Sequence, residues 1–392
     1  MIKKGKDTIQ SIKNTDFLRN RRYEAFVFLL VFGVFFGYLG YVMGIANLLN
    51  TVMNTAWDLL MNTVFFIMGI TVLTGALGRL MIEFGVVRLL EIVLAPLMRP
   101  LFNLPGVASL AGLMTFFSDN PAIISLSNDK NYSNYFKKYE LVSLTNFGTA
   151  FGMGLVVLTF MARFEYFGPA VVGFVGAVFG AVVSTRLMQY MIRGKIASSP
   201  EENFENTEAS ISFKSEGGVF QRFLNALLDG GKSGVDLGLQ IIPGVLIIST
   251  VIMIVTFGPE DPSAGYQGLA YEGVPILPKI GEWLNWLFYG LFGFKNPELI
   301  AFPITSLGAV GAALSLVKAF IEQGIITGNE IAVFTAMGMC WSGYLSTHTA
   351  MLDTLNFRSL TSNALVAHTI GGVAAGAFAH YLYVFLSIWF TI

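Results

Sequence analysis

Charge is what this sequence has least of. Asp, Glu, Lys and Arg together make up 12 % of its 392 residues, where a water-soluble domain carries roughly 25 %. Half the usual charge cannot cover a surface in water, so much of the chain faces another solvent, and lipid fits. Cysteine is nearly absent as well. Cys340 stands alone, which excludes an intramolecular disulfide and a thiolate metal cage, and its apolar surroundings read as a small buried hydrophobe. Only three histidines occur, with no carboxylate at ligand spacing, a poor basis for a metal centre. The strings GxxxxGK[ST], HExxH, GxSxG and CxxC are missing from any plausible context, so the chain reads as a non-enzyme. A net charge of −1 supplies no basic field for nucleic acid.

What the chain has instead is apolar length. Hydrophobic residues make up 54 % and mean hydropathy is +0.64. Apolar stretches recur at Ala25–Gly44, Leu59–Leu80, Leu141–Met161, Gly168–Met191, Leu237–Phe257, Ile331–Met351 and Ala364–Phe390. Each meets or approaches the roughly 20 residues that cross a bilayer as a helix, and helix is the choice that satisfies the backbone within a single segment. The first stretch follows a basic N-terminus (Lys3, Lys4, Lys6, Lys13, Arg19, Arg21, Arg22) and is too long for a signal-peptide core, so it reads as a retained helix. Further bases group at Arg79–Arg99, Lys130–Lys138 and Arg193–Lys195, while the opposite loops, Gly258–Pro275 and Glu322–Glu330, are acidic or neutral. The positive-inside rule then puts the N-terminus in the cytoplasm of a cell (inner) membrane and the C-terminus outside. A polar, aromatic-poor segment after Arg193 reads as a cytoplasmic linker. The expected units are residues 1–47 (basic terminus and first helix), 48–192 (first repeat), 193–222 (linker) and 223–392 (second repeat).

The halves repeat. A gapless shift of 190 (Leu291 against Leu101) superposes Thr115 on Thr305, Ser125 on Ser315, Glu140 on Glu330, Thr145 on Thr335, Gly148 on Gly338 and Thr159 on Thr349. A shift of 178 pairs Asp58 with Asp236, both expected at helix starts, where an acid suits the dipole. The loop charges make the repeat inverted. The expected fold is therefore an all-α polytopic membrane protein of two inverted repeats, a construction of secondary transporters whose sites lie at interrupted segments near the midplane.

Two such interruptions occur at matched positions. Leu104–Leu126 is broken by Ser118-Asp119-Asn120-Pro121, where Asn120 suits a helix cap and Pro121 the first helical position. Leu299–Ile321 is broken at Gly308–Gly311, with bare backbone. Each reads as a re-entrant helical hairpin. The candidate site comprises Ser118, Asp119, Asn120 and Gly308 at the tips, Asn146 and Thr149 in the glycine-rich run that follows, and Ser342, Ser346 and His348 in the second half. Asp119 is the carboxylate suited to a coupling cation. For His368 and His380, partners inside the bundle are expected.

At FFSDNPAIISL with KKYELVSLTNFGTAFGMG, and TSLGAVGAALSL with NEIAVFTAMGMCWSGYLS, the chain resembles the nucleoside-recognition "Gate" domain proteins. This superfamily includes concentrative nucleoside transporters, the membrane part of ferrous-iron transport GTPases and spore maturation proteins. The resemblance covers about Leu48–Met191 and Phe223–Phe390. It implies hairpin-plus-helix units and transport of a small polar solute such as a nucleoside, although the nucleoside transporters' acidic substrate contacts have no counterpart here. Alternative readings are a non-transporting Gate-domain assembly or signalling factor, or a metal-ion permease. No cofactor is implied beyond a coupling Na+ or H+. The partners are the solute and the bilayer, and a homo-oligomer is left open.

Overall fold

The structure, a computed structural model, describes residues 2–196 and 217–389, with side chains outside 2–20 and 131. The basic side chains from Lys3 to Arg19, most of the linker and Ile392 lie outside the described residues. Among those described, the chain is all-helical, and six helices are long and apolar enough to cross a membrane. It is a multi-pass membrane protein.

After α1 (Ile2–Met43), the first half runs α2 (Ile45–Glu83), α3 (Val86–Phe102), α4 (Ala108–Phe117), α5 (Pro121–Asn128), α6 (Lys138–Thr149), α7 (Gly154–Ala162) and α8 (Phe167–Ile192). The second half runs α9 (Val219–Ile254), α10 (Ile276–Trp283), α11 (Asn285–Phe292), α12 (Ala301–Gly308), α13 (Val310–Glu322), α14 (Gly328–Cys340), α15 (Tyr344–Thr354) and α16 (Thr361–Ser387). The order of elements is the same in both: a long helix, an amphipathic lead-in, a hairpin (α4–α5, α12–α13), a broken helix (α6–α7, α14–α15) and a long closing helix.

Backbone details recur at the 190-residue shift. Asn103 and Gly293 end their lead-ins with φ of 53° and 72°, and Met153 and Gly343 break their helices with φ of 55° and 66°. Glu140 and Glu330 each accept the amide hydrogen three residues upstream, from Lys137 at 2.9 Å and Thr327 at 2.7 Å. The 178-residue shift fares differently. Both long helices carry a π turn, Leu59–Val64 in α2 and Gly244–Ser249 in α9. These are 185 residues apart (244 against 59), so Asp58 abuts its π turn while Asp236 lies well before the other. Neither acid stands at a helix start, because α2 begins at Ile45 and α9 at Val219. Pro243 precedes the second π turn; with no amide hydrogen and a ring that crowds the preceding turn, it disrupts the α ladder there.

Matching helices pack antiparallel. Along α2 and α9, Thr71 Oγ donates to the Gly234 carbonyl at 2.7 Å, Gly75 lies on Gly230, and Arg222 reaches Glu83 at 2.7 Å. Along α8 and α16, Gly176 meets Ala375 and Ala379, Gly180 meets Gly371, and Ser184 meets His368. Glycine is required at these crossings because a methyl group at Gly234 would overlap the Thr71 backbone. Small residues that let backbones approach are how helices associate in lipid.

The charged ends sort onto two faces. One gathers Arg222–Glu83, Arg99–Glu140 (2.5 Å), Arg186 on the Leu101 carbonyl (2.6 Å) and Lys195 on Asn363 (3.0 Å). At the other, Asn47 and Asn54 of α2 donate to the carbonyls of Tyr266 and Gly268, each at 2.8 Å, and Tyr271 donates to Asp58. Buried Glu272 accepts amide hydrogens from Gln267, Gly268 and Leu269 there, which closes the acidic loop on itself.

Candidate functional site

The first hairpin turns at Ser118 (φ −127°, ψ −100°), and Pro121 opens α5. Asn120 occupies the cap position, yet its side chain does not cap α5. It points away instead, and its Nδ2 donates to the backbone oxygen of Ser342 at 3.2 Å and to Ser342 Oγ at 3.4 Å. The carboxamide also lies against Gly152 and Gly343, filling the space a Cβ would need at either. One side chain on the first hairpin thus touches both helix breaks, at residues 150–153 and 341–343. The second break was not visible in the sequence, where Ile331–Met351 reads as continuous.

The polarity here follows from the bonds. Because the Asn120 amide nitrogen is held by a carbonyl, its oxygen is the free end. Asn120 Oδ1 and Asp119 Oδ1 are both buried without a hydrogen-bond partner. A buried acceptor left unpaired costs about 1–3 kcal/mol, so the tip calls for a donor or a cation. Of the other predicted residues, Ser342 is buried beside Asn120, whereas Ser118 and Ser346 are exposed and Ser118 Oγ turns back to the Met114 carbonyl at 2.9 Å. Thr149 Oγ bonds within its own helix to the Thr145 carbonyl at 2.6 Å.

Gly308 stands apart from this group. The second tip rests on the π turn of α9: Gly308 faces Ile248, Ala309 faces Gly244, and Ser249 Oγ donates to the Ala312 carbonyl at 3.1 Å. The first tip instead meets α2 at Gly78, through the Phe117 backbone.

Asn146 and His348 belong to a second polar group behind the breaks. Asn146 Nδ2 donates to Ser184 Oγ and to the Ala364 carbonyl, both at 2.9 Å. Ser184 Oγ lies 2.9 Å from His368 Nδ1, His368 Nε2 bonds the Cys340 carbonyl, and Trp341 donates to the His368 carbonyl at 3.2 Å. The ring of His348 lies 4.6 Å from that of His368. His368 is thus partnered inside the bundle, and His380 is too, through Asn329 at 2.7 Å. Ser184 had no signal in the sequence beyond a small residue in an apolar helix, whereas Gly152 lies in the glycine-rich run after Asn146. Among the described residues no three His, Cys, Asp or Glu stand together as metal ligands.

The fold defines a class: a multi-pass helical protein with paired hairpins and paired broken helices. No family model matches the chain. Solved structures of CNTnw share the fold: a doubly substituted form in an outward-facing state (TM-score 0.54, 14 % identity, covering 95 % of this chain and 86 % of that one) and an inward-facing substrate-bound state (TM-score 0.54, 13 % identity, covering 92 % and 84 %). By sequence, 71 residues are 37 % identical to the sporulation integral membrane protein YlbJ of Bacillus subtilis, covering 18 % of this chain and 17 % of that protein. A further 216-residue match, 24 % identical, is to an uncharacterised protein of Alkalihalophilus pseudofirmus, covering 52 % of this chain and 46 % of that one. Both matches span less than half the length of these relatives.

Proposed function

We propose that the chain is a secondary transporter of a small polar solute, bound at the first hairpin tip between the two broken helices. One observation carries the reading: Asn120 contacts both breaks, and its own Oδ1 and the neighbouring Asp119 Oδ1 are buried and unpartnered. Broken helices are tolerated at membrane depth where they are buried in protein or line a cavity, and they are the usual place for solute and ion in transporters. Antiparallel packing of the matching elements supports an inverted repeat, since an axis in the membrane plane reverses each element. Domain limits near residues 48–192 and 223–392 follow from the same correspondence. The Arg- and Lys-rich face is assigned to the cytoplasm, with the N-terminus. CNTnw is a concentrative nucleoside transporter, and on that ground nucleosides are the first solutes to test.

Asp119 is assigned to a coupling cation, because it is the carboxylate of the tip. Uptake into proteoliposomes under a Na+ or H+ gradient tests both parts. Asp119→Asn keeps the size and one acceptor, so it should lose ion dependence while retaining solute uptake; unchanged ion dependence removes Asp119 from that role. Asn120→Ala should reduce uptake at least tenfold. Absence of uptake for every nucleoside and base would favour the second reading, a Gate-type membrane factor without cargo, which the YlbJ match supports.

A further inference from the structure

The polar group behind the breaks has a fixed hydrogen-bond direction. His368 Nε2 faces a carbonyl, so it carries the hydrogen, and Nδ1 accepts from Ser184. Ser184 Oγ in turn accepts from Asn146. His348 Nδ1 faces the Tyr344 carbonyl at 2.6 Å, so it also carries its hydrogen and leaves Nε2 as a bare lone pair. That nitrogen is fully buried and unpartnered. α6 packs against α15, and it carries two more buried polar atoms without a partner, the Thr145 hydroxyl and the amide oxygen Asn146 Oδ1. Two of these three atoms, His348 Nε2 and Asn146 Oδ1, are pure acceptors, and the single hydrogen of the Thr145 hydroxyl cannot serve both.

We propose that His348, backed by His368, is a proton-binding site in the membrane interior that holds a single proton. A proton on Nε2 turns an orphan acceptor into a donor beside a helix that carries an unpaired acceptor, Asn146 Oδ1, and the Tyr344 carbonyl already faces the other nitrogen of the ring. A second proton is opposed because the two rings are 4.6 Å apart and like charges repel. The titratable groups on the elements packed against α15 are few. α16 carries His368, His380, Tyr381 and Tyr383; α6 carries Lys138, Tyr139 and Glu140; Arg358 lies in the turn before α16. Of these His368 touches His348, as does Tyr344 on α15 itself, while Glu140 is held by Arg99 and Arg358 lies 3.7 Å from Asp353. α5 and α12 contribute no titratable side chain. The site stands whether or not the chain carries a solute. If it does, this is a second place, distinct from Asp119, where a proton enters the cycle.

The three histidines make a direct test possible. Nitrogen NMR of histidine-labelled wild-type protein in nanodiscs, titrated downward from pH 8, reads each imidazole, and His380→Gln assigns one of them. The expected result is that His348 passes from one bare nitrogen to two protonated ones while His368 keeps its neutral form. His348→Asn retains a donor toward Tyr344 and replaces the basic nitrogen with an amide that takes up no proton, so proton uptake over the same range should fall by one per molecule. If that variant does not fold, the wild-type spectrum decides alone. A His348 that keeps its bare nitrogen at every pH at which the protein stays folded overturns the proposal, whether or not water bonds to it. That outcome would overturn this proposal alone and leave the reading of the hairpin tip standing.

Discussion

Asn120 shows how much one amide orientation decides. With its nitrogen on the Ser342 carbonyl, a carboxylate in its place would set two acceptors against each other. Asn120→Asp should therefore destabilise the protein by about 1–3 kcal/mol, read as a lower thermal unfolding midpoint. Unchanged stability would mean that the amide is not fixed as described. Ser184 serves two partners at once, so Ser184→Ala leaves His368 Nδ1 without its donor and one of the two Asn146 Nδ2 hydrogens without its acceptor, and should cost at least as much; Ser184→Cys, still a weak donor, should recover part of it. Asn120 could be picked from the sequence because it interrupts an apolar segment beside a proline. Ser184 could not, because its role depends on partners about 40 residues upstream and more than 180 downstream, and a lone hydroxyl in a helix carries no sign of either. The cap reading of Asn120 failed for a related reason: local spacing says which backbone amides are close, not which distant carbonyl competes for the side chain.

The helices themselves were legible to different degrees. The apolar stretches located the bundle, but α2 and α9 extend well beyond them, to 39 and 36 residues. At 1.5 Å per residue, α2 is about 58 Å long against a hydrocarbon core of about 30 Å. The excess hides in polar lead-ins such as NTVMNTAWD, whose Asn54, Thr55 and Asp58 hold the acidic loop rather than face lipid. The α14–α15 break escaped notice because Trp341 and Tyr344 keep the run apolar across Gly343. The α2–α9 contact invites a packing test. Gly234→Leu inserts a side chain where the Thr71 backbone sits and should destabilise by about 1–3 kcal/mol, whereas Gly231→Leu, with only Val72 near, should cost far less. Equal effects at the two positions would remove the close crossing.

At the scale of the whole molecule, the alternation of basic and acidic loops corresponds to two physical faces. Accessibility to a membrane-impermeant thiol reagent checks their placement. In a Cys340→Ala background, Gln267→Cys should label from outside intact cells and Lys195→Cys only after permeabilisation; labelling of both from one side would overturn the assignment. Over the later elements of the repeat one shift of 190 aligns polar residues in the sequence and left-handed turns in the structure alike. At the long helices a single pair of acids suggested a shift of 178. Neither acid stands at a helix start, however, and the π turns lie 185 residues apart (244 against 59), a feature that leaves no trace in composition.

Those π turns face one another across the α2–α9 contact. Each holds a residue more than an α ladder accommodates, and one residue turns a helix by about 100°. The residues on either side of Leu59–Val64 and of Gly244–Ser249 are thus out of phase with a single regular helix. In materials terms each long helix contains a dislocation, and a dislocation can glide: passing the extra residue along by a turn rotates the backbone between its old and new positions without breaking the rod. Two such defects stand opposite each other where the second hairpin tip rests, so a shift of either would re-register the α2–α9 contact by a small step. Amide exchange at Met61–Val64 and Leu246–Ser249 should then run ahead of the α-helical turns on either side, and uniform protection across these positions would show that the defects are pinned.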